Sequence, residues 1–399
     1  MALVDTLRTF MYVSLWGKPV ISVTRGLKDL IKQLFRAGEQ GFAYDINDLS
    51  TLYQDAAGTI PVTAAGQPVG LVLDKSKGAL RGIEKWDDST TKITGASSKV
   101  SPNVYRVYSP DASYSAVSTD NTLIVGRYYE VSLTVNSITV LGSGVALEGF
   151  SDKTLNSVGS FRFILPATTT KLSIKRAGSA CDIQVSNISL KELSGNHAYQ
   201  TTSASRPLLQ RNATTGAYYL AFDGTDDFLV TSSIDFTATD KVSLFAGVRK
   251  LSDNIAGFIA ELSAITSANN GSFSIGVGGG SGIESYTSGS KGTTATYAVL
   301  LKTQNPAFNA PNSAVISAIT QTSSDTNILR LNGAQAAQST ADLGTGNYGN
   351  YPLYIGRRGG TTFPFNGHLY SLIGVARLTT DAETIALEKS IAKNTGVTL

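Results

Sequence analysis

The chain has 399 residues, 16% of them charged and 9% aromatic, with 39 glycines and a formal net charge of +3. That length holds two or three domains and buries a core without cross-links, and the balance suits β-rich, turn-rich domains over helical ones. The single cysteine, Cys181, excludes an intramolecular disulfide and a thiolate metal cluster. The small net charge argues against nucleic acid as a partner. No run of about twenty apolar residues is available to span a membrane. The single cysteine makes assembly in a reducing cytoplasm the expectation, and no secretory signal is read, since Asp5 precedes the first arginine and no small-x-small cleavage site follows in context.

Residues 1–41 differ from everything after them. Leu27, Leu30, Ile31, Leu34 and Phe35 recur at helical spacing, while Arg25, Lys28, Asp29, Lys32 and Arg36 take the other face. Gly38 and Gly41 offer a stop. Before this helix, Leu3, Leu7 and Phe10 with Met11 form a shorter amphipathic run, cut by Gly17 and Pro19. A stripe so apolar needs a cover: a membrane surface, a partner protein or second copy, or the chain's own body. The polar face mixes signs, which favours a partner. The segment therefore reads as an anchor, and the rest of the chain is expected to fold without it. Residues 42–84 are rich in Gly, Asp, Ala and Pro, and read as an extended, turn-rich connector.

Residues 85–195 predict a β-sandwich, with strand-like pieces separated by Gly, Asn and Ser turns. Tyr129, Val131, Leu133 and Val135 alternate with Glu130, Ser132 and Thr134, the period of a half-buried strand. Ile183, Val185, Ile188 and Leu190 supply another apolar face, with a register change at Ser186-Asn187 that predicts a bulge. Gly195 to Pro207 reads as the linker into a last domain, residues 196–399. There Tyr218, Leu220 and Phe222 alternate with Tyr219 and Ala221. Asp223-Gly224 breaks that strand, because glycine accepts positive φ and Asp bonds its own backbone. Ser274 to Val277 and Tyr297 to Leu301 predict strands within a Gly- and Ser-rich stretch, with mobile loops between. Near the C-terminus Thr380 predicts an N-cap, Glu383 completes a capping box, and Gly396 marks the helix stop.

Several strings resemble a known family. "YYLAFDGTDDFLV", "VSLFAGVRKLS", "ILRLNGAQ", "PLYIGRR" and "FNGHLYSLIGVARLTTDAE", in that order, are similar to concanavalin A-like or laminin G-like jelly rolls of bacteriophage tail-fibre and virion surface proteins. "DLSTLYQDAAGTIPVTAAGQPVG" resembles the N-terminal stretch of phage virion proteins and implies an attachment segment. The pattern over 85–195 resembles small carbohydrate-binding-module jelly rolls. The fold class implied is mainly β: a helical or extended N-terminal anchor followed by two antiparallel β-sandwich domains. The work implied is adhesion to a bacterial surface glycan on a virion made in the host cytoplasm. Other virion proteins would be partners, and a homo-oligomer, a trimer by analogy with fibres, is expected. A purely structural capsid-decoration or tail component is the alternative, and a polysaccharide depolymerase a third.

The candidate constellations are few. A Ser/His/Asp triad would have to use His197 or His368, and no Gly-x-Ser-x-Gly elbow occurs. Zinc lacks ligands. Gly344 to Gly349 matches Gly-x-Gly-x-x-Gly, yet Pro352 and a strand follow in place of a helix, so it reads as a surface loop. Concanavalin-like glycosidases carry Glu-x-Asp-x-x-Glu on one strand, which is absent; Glu261 and Glu284 are the default carboxylates for hydrolysis. No catalytic residue is assigned. Asp223, Asp226 and Asp227 surround one turn, and the resemblance implies calcium at such rims. Tyr348, Tyr351 and Arg358 offer an aromatic and planar polar platform for a sugar, with Tyr354 expected in the core.

Overall fold

The computed structural model describes residues 11–13, 19–21, 26–78, 81–150, 153–278, 285–294, 299–302 and 305–399. Leu3, Leu7, Phe10 and Glu284 lie outside them. The described chain is mainly β, with antiparallel sheets stacked as sandwiches and two α-helices, α1 (Leu27–Leu34) and α2 (Asp381–Thr395). A two-stranded ribbon pairs Met11–Val13 with Pro19–Ile21.

The first sandwich runs over residues 81–193. A six-stranded sheet centred on Tyr128–Val140 and Cys181–Leu193 faces a five-stranded sheet centred on Ser173–Arg176. Tyr129, Val131, Leu133 and Val135 point into the core against Val117, Val145, Leu147 and Ile174 from the other sheet. Leu133 faces two residues of the neighbouring strand, because the register shifts between Ser132/Ser189 and Thr134/Ser186. Asn187 absorbs the extra residue at φ 52°. Cys181 is buried and unpaired.

The second sandwich stacks a nine-stranded sheet on an eight-stranded one, and it contains the segment expected as a connector. Gly41–Asp45 pairs with Asn366–Val375. Leu52–Tyr53 pairs with Leu71–Val72, which in turn pairs with Ala198–Tyr199. Phe42, Tyr44, Leu52, Val69 and Val72 join Leu220, Phe222, Leu244, Phe273 and Leu372 in one core. The short apolar pieces between Gly41 and Leu73 are therefore strands, each too brief to show a period by itself. Gly41 is required where it stands: a Cβ there would sit 2.0 Å from the Gly374 carbonyl oxygen.

The N-terminal stripe is covered by the chain itself. Leu27, Ile31, Leu34 and Phe35 are buried with Phe245, Val315, Ile373, Val375, Leu387 and Ile391, and Leu30 packs on the same cluster. The anchor expectation for these five residues is thus corrected. The helical period announces a buried face, and α2 with the outer face of the eight-stranded sheet supplies the cover. Truncation of residues 1–41 strips that layer, so the remaining domains do not stand free of it. Ile31, 1% exposed, is expected to cost about 2–5 kcal/mol when cut to alanine. Denaturant unfolding of Ile31→Ala checks this; a loss below about 0.5 kcal/mol would return the stripe to an external partner.

Helix α2 carries its predicted ends. The Thr380 hydroxyl accepts from the Glu383 N–H, the Glu383 side chain accepts from the Thr380 N–H, and Gly396 caps at φ 79°. The Gly/Ser-rich stretch departs from expectation. Tyr286–Lys291 is a fully buried central strand, and not a mobile loop. Its hydroxyls are satisfied inside: Ser288 donates to Asn327 Oδ1, and Ser290 pairs with the Tyr348 hydroxyl.

The two sandwiches meet along a seam. Tyr53, Leu71 and Leu73 of the second pack with Tyr128, Ile164 and Leu193 of the first. The Ile164 N–H donates to Ala57 O at 2.7 Å, and the Ser232 hydroxyl to Gly126 O at 3.2 Å.

Candidate functional site

The residues expected to form a sugar platform do not converge. Tyr348 is fully buried, its hydroxyl bonded to Ser290 and Thr320 at 2.8 Å each, and burial pushes its pKa up to about 12. Tyr351 packs half-buried against the same core. Arg358 is committed elsewhere: its Nε lies 3.1 Å from both Glu261 carboxylate oxygens, and its Nη2 3.0 Å from Oε1. Its guanidinium stacks 4.0 Å over the Phe258 ring and 5.2 Å from that of Phe363. A glycine-flanked tyrosine reads as a loop residue, but Gly271 lets its backbone close on that of Tyr348 and Gly349, and Gly349 leaves room for the Tyr351 ring. Glu261, fully buried, accepts from the Thr266 N–H and hydroxyl as well. It is structurally engaged and not free to act on a substrate.

Both histidines are packed into the fold, His197 with partners on both nitrogens and His368 with none on Nδ1 among the described residues. His197 is buried; its Nδ1 accepts from the Asp74 N–H at 2.9 Å, so Nε2 carries the proton and donates to Leu193 O at 3.3 Å. Burial lowers its pKa to about 4. His368 stacks on Tyr219 with centroids 3.9 Å apart, and its pKa is lowered to about 4 by burial and by the Arg249 charge. Gly344 to Gly349 leads into the strand Asn350–Ile355, with no helix after it.

The acidic turn does assemble. Asp223, Asp226 and Asp227 place ligand oxygens within 4.8 Å of one another. Local bonds hold the arrangement: Asp223 Oδ1 accepts from Thr225 and Asp226 N–H, Asp227 Oδ2 from Asp223 N–H, and Asp226 Oδ2 from the Ser205 hydroxyl. Gly224 makes the turn at φ 76°, close against Asn366. Burial first, then the Asp223 and Asp226 charges, raise the Asp227 pKa to about 6. These three carboxylates are the described residues that could hold a hard cation such as calcium.

A consequence for stability follows. A folded pKa above the unfolded one gives stability that is complete below the unfolded value and is lost as pH rises through the folded value. Asp227→Asn is therefore expected to be more stable than the native chain at pH 8, by on the order of 1–3 kcal/mol, with the advantage gone near pH 4. Paired denaturant melts at pH 4, 6 and 8 check it. Excess calcium should close the gap at pH 8 by stabilising the native chain alone.

A concavity that bears on function lies at the seam. An open groove of about 1060 Å³ runs between the sandwiches. The end of α1 gives it Lys32, Arg36 and Gly38; the strand-exit turn gives Lys75, Ser76 and Lys77. The first sandwich adds Ile124, Val125, Arg127 and Tyr128, the linker adds Ser194 and Asn196, and the second sandwich adds Ser232, Ser233 and Asp235. Sequence reasoning misses this site because its walls come from segments far apart in the chain. Its one local signal is the basic i, i+4 pair Lys32 and Arg36 on the polar face of the predicted helix.

No protein-family model matches the chain, and no curated protein sequence does. Among solved structures, the chain is similar to the CBM40 of the Ruminococcus gnavus IT-sialidase, at 13% identity and a TM-score of 0.31, over 40% of this chain and 98% of that one. It is similar to a native heptameric SAP-like pentraxin from Limulus polyphemus, at 14% identity and TM-score 0.34, over 41% and 78%. Domain 4 of a GH43 extracellular arabinanase from Geobacillus stearothermophilus, in complex with arabinotriose, matches at 11% identity and TM-score 0.33, over 46% and 81%.

Proposed function

We propose that the chain is a surface protein of a phage particle whose β-sandwiches hold bacterial surface glycans. The observation that carries the binding part is the groove at the seam: open to solvent, lined by hydroxyls, cations and an aliphatic ledge, and built jointly by both sandwiches. The engagement of Glu261 by Arg358 and Thr266 favours binding over hydrolysis at that carboxylate. The phage origin and the virion partners rest on the resemblance of the chain's own strings. The attachment role once implied for residues 42–84 is withdrawn from this proposal, because those residues build the second sandwich. Individual contacts would be weak, and many copies on one particle would multiply them by avidity.

The structural alternative has its own support. Arg81–Glu84 and Ser98–Ser101 are exposed along their whole length, with Ile83 83% and Val100 53% exposed, a surface suited to a neighbouring subunit such as a copy within a trimer. A glycan array probed with the full chain, displayed multivalently on beads, separates the two. Retention of host surface polysaccharides is expected. Silence across the array would leave the chain as a purely structural component. Release of reducing ends from a retained polysaccharide would move it to the depolymerase class.

A further inference from the structure

We infer that the seam groove is selective for acidic glycans, polysaccharides bearing carboxylate or phosphate groups, with Lys32, Arg36 and Lys77 as their anion contacts. This rests on the adhesion reading and adds the ligand class and the residues. The groove lining holds five cationic side chains, Lys32, Arg36, Lys75, Lys77 and Arg127, against two carboxylates, Glu192 and Asp235. Two of those cations are neutralised locally: Lys75 by Asp45 and Asp48, and Arg127 by Glu192 at 2.8 Å. The other three are not. Lys32 and Arg36 are exposed and have no carboxylate partner among the described residues. Lys77 Nζ donates only to the Gly38 and Glu39 carbonyls, at 3.0 and 2.6 Å. Of the carboxylates three residues from each, Glu39 is turned to Arg377, Asp74 accepts from Ala43, Ser76 and Asn196, and Asp29 makes no ion pair with Lys32 among the described residues. The unneutralised positive charge is thus gathered on one wall, where a cleft concentrates its field.

The rest of the groove suits a sugar chain. Ser194, Ser232 and Ser233 bring hydroxyls, and Ile124 and Val125, 48% and 58% exposed, form an aliphatic ledge for the apolar face of a pyranose. Tyr128 also lines the groove, its ring packed on His197 and Tyr199. Single-stranded nucleic acid fits less well. It needs exposed rings to stack on, and Phe35 and Tyr128 in the lining are both buried.

The test uses the full chain with three probes: an oligogalacturonate (carboxylated), a poly(glycerol phosphate) oligomer (phosphorylated) and a dextran oligomer (neutral). One or both acidic probes should bind, more weakly as salt rises, and the dextran should not. The double variant Lys32→Glu/Arg36→Glu should weaken acidic binding at least about tenfold. Lys32→Gln/Arg36→Gln should give a smaller loss, with unchanged thermal melting because both positions are exposed. Which acidic probe binds identifies carboxylate or phosphate as the anion recognised. Dextran binding that ignores both variants would overturn the inference and leave adhesion standing. Failure of all three probes and of the glycan array would overturn both. Equal binding of oligo-dT with the same Lys32/Arg36 dependence would overturn glycan selectivity in favour of a general polyanion site.

Discussion

Asp74→Ala is expected to remove most of the chain's stability. The side chain is fully buried and accepts four hydrogen bonds. Oδ1 takes the Ala43 and Ser76 N–H groups at 2.8 Å each, and Oδ2 takes the Ser76 hydroxyl at 2.6 Å and the Asn196 N–H at 2.7 Å. Its own N–H donates to His197. Burial pushes its pKa up and these four donors pull it back, with a net rise. Accepting from all four requires the carboxylate, since a protonated oxygen would itself be a donor. The donors come from three places that must meet: the strand Gly41–Asp45, the turn after Leu71–Val72, and the linker between the sandwiches. Alanine leaves three backbone N–H groups buried without partners, at about 1–3 kcal/mol each, so a loss above about 4 kcal/mol is expected. Against a typical total of about 5–15 kcal/mol that is a large fraction. Asp74→Asn should lose nearly as much, because its amide turns a donor toward donors. Urea unfolding followed by fluorescence reads both variants. A loss below about 1 kcal/mol would mean that the linker is not held at this point.

Much of the fold is legible locally, and the assembly is not. Tyr129 to Val135 alternate, and the alternation is the strand's buried face. Thr380 and Glu383 stand three apart, and the capping box follows from that spacing alone. Asp223-Gly224 breaks a strand because of what those two residues are. Periodicity, however, states that a face is buried without stating what covers it. The α1 stripe is correct as a stripe and wrong as an anchor, because Ile373 and Leu387, more than 300 residues on, are its partners. The strand Tyr286–Lys291 has no apolar alternation to find, since serine hydroxyls paired with Asn327 and Tyr348 fill one face and Thr287, Gly289 and Lys291 the other. The acidic turn is readable because its three carboxylates are neighbours in sequence. The groove is not, because Lys32, Lys77, Tyr128 and Ser233 meet only after both sandwiches have formed.

Arg358 separates a structural role from a binding one. Arg358→Ala is expected to destabilise the chain by about 3–5 kcal/mol, because it strands the Glu261 carboxylate, 0% exposed, without its counter-charge. The guanidinium does more than neutralise. It meets both carboxylate oxygens and sits 4.0 Å over the Phe258 ring, with the Phe363 ring at 69° to that of Phe258. Lysine supplies the charge without the fork or the stacking plane, so Arg358→Lys should recover only part of the loss. Removing both charges at once should hurt less than removing one: in Glu261→Gln/Arg358→Met the buried charge is gone, while Gln Oε1 still accepts from the Thr266 N–H. Glycan binding gives the opposite readout. Were Arg358 part of a sugar platform with Tyr351, Arg358→Lys would lose affinity at temperatures where it remains folded. With Arg358 bound to Glu261, affinity should stay within about twofold of the native chain as long as the protein is folded, and should respond instead to Lys32 and Arg36 across the seam. A double-mutant cycle on stability, run beside binding measured well below the melting point, distinguishes the two. A coupling energy below about 0.5 kcal/mol between Glu261 and Arg358, together with lost affinity, would return Arg358 to the binding surface.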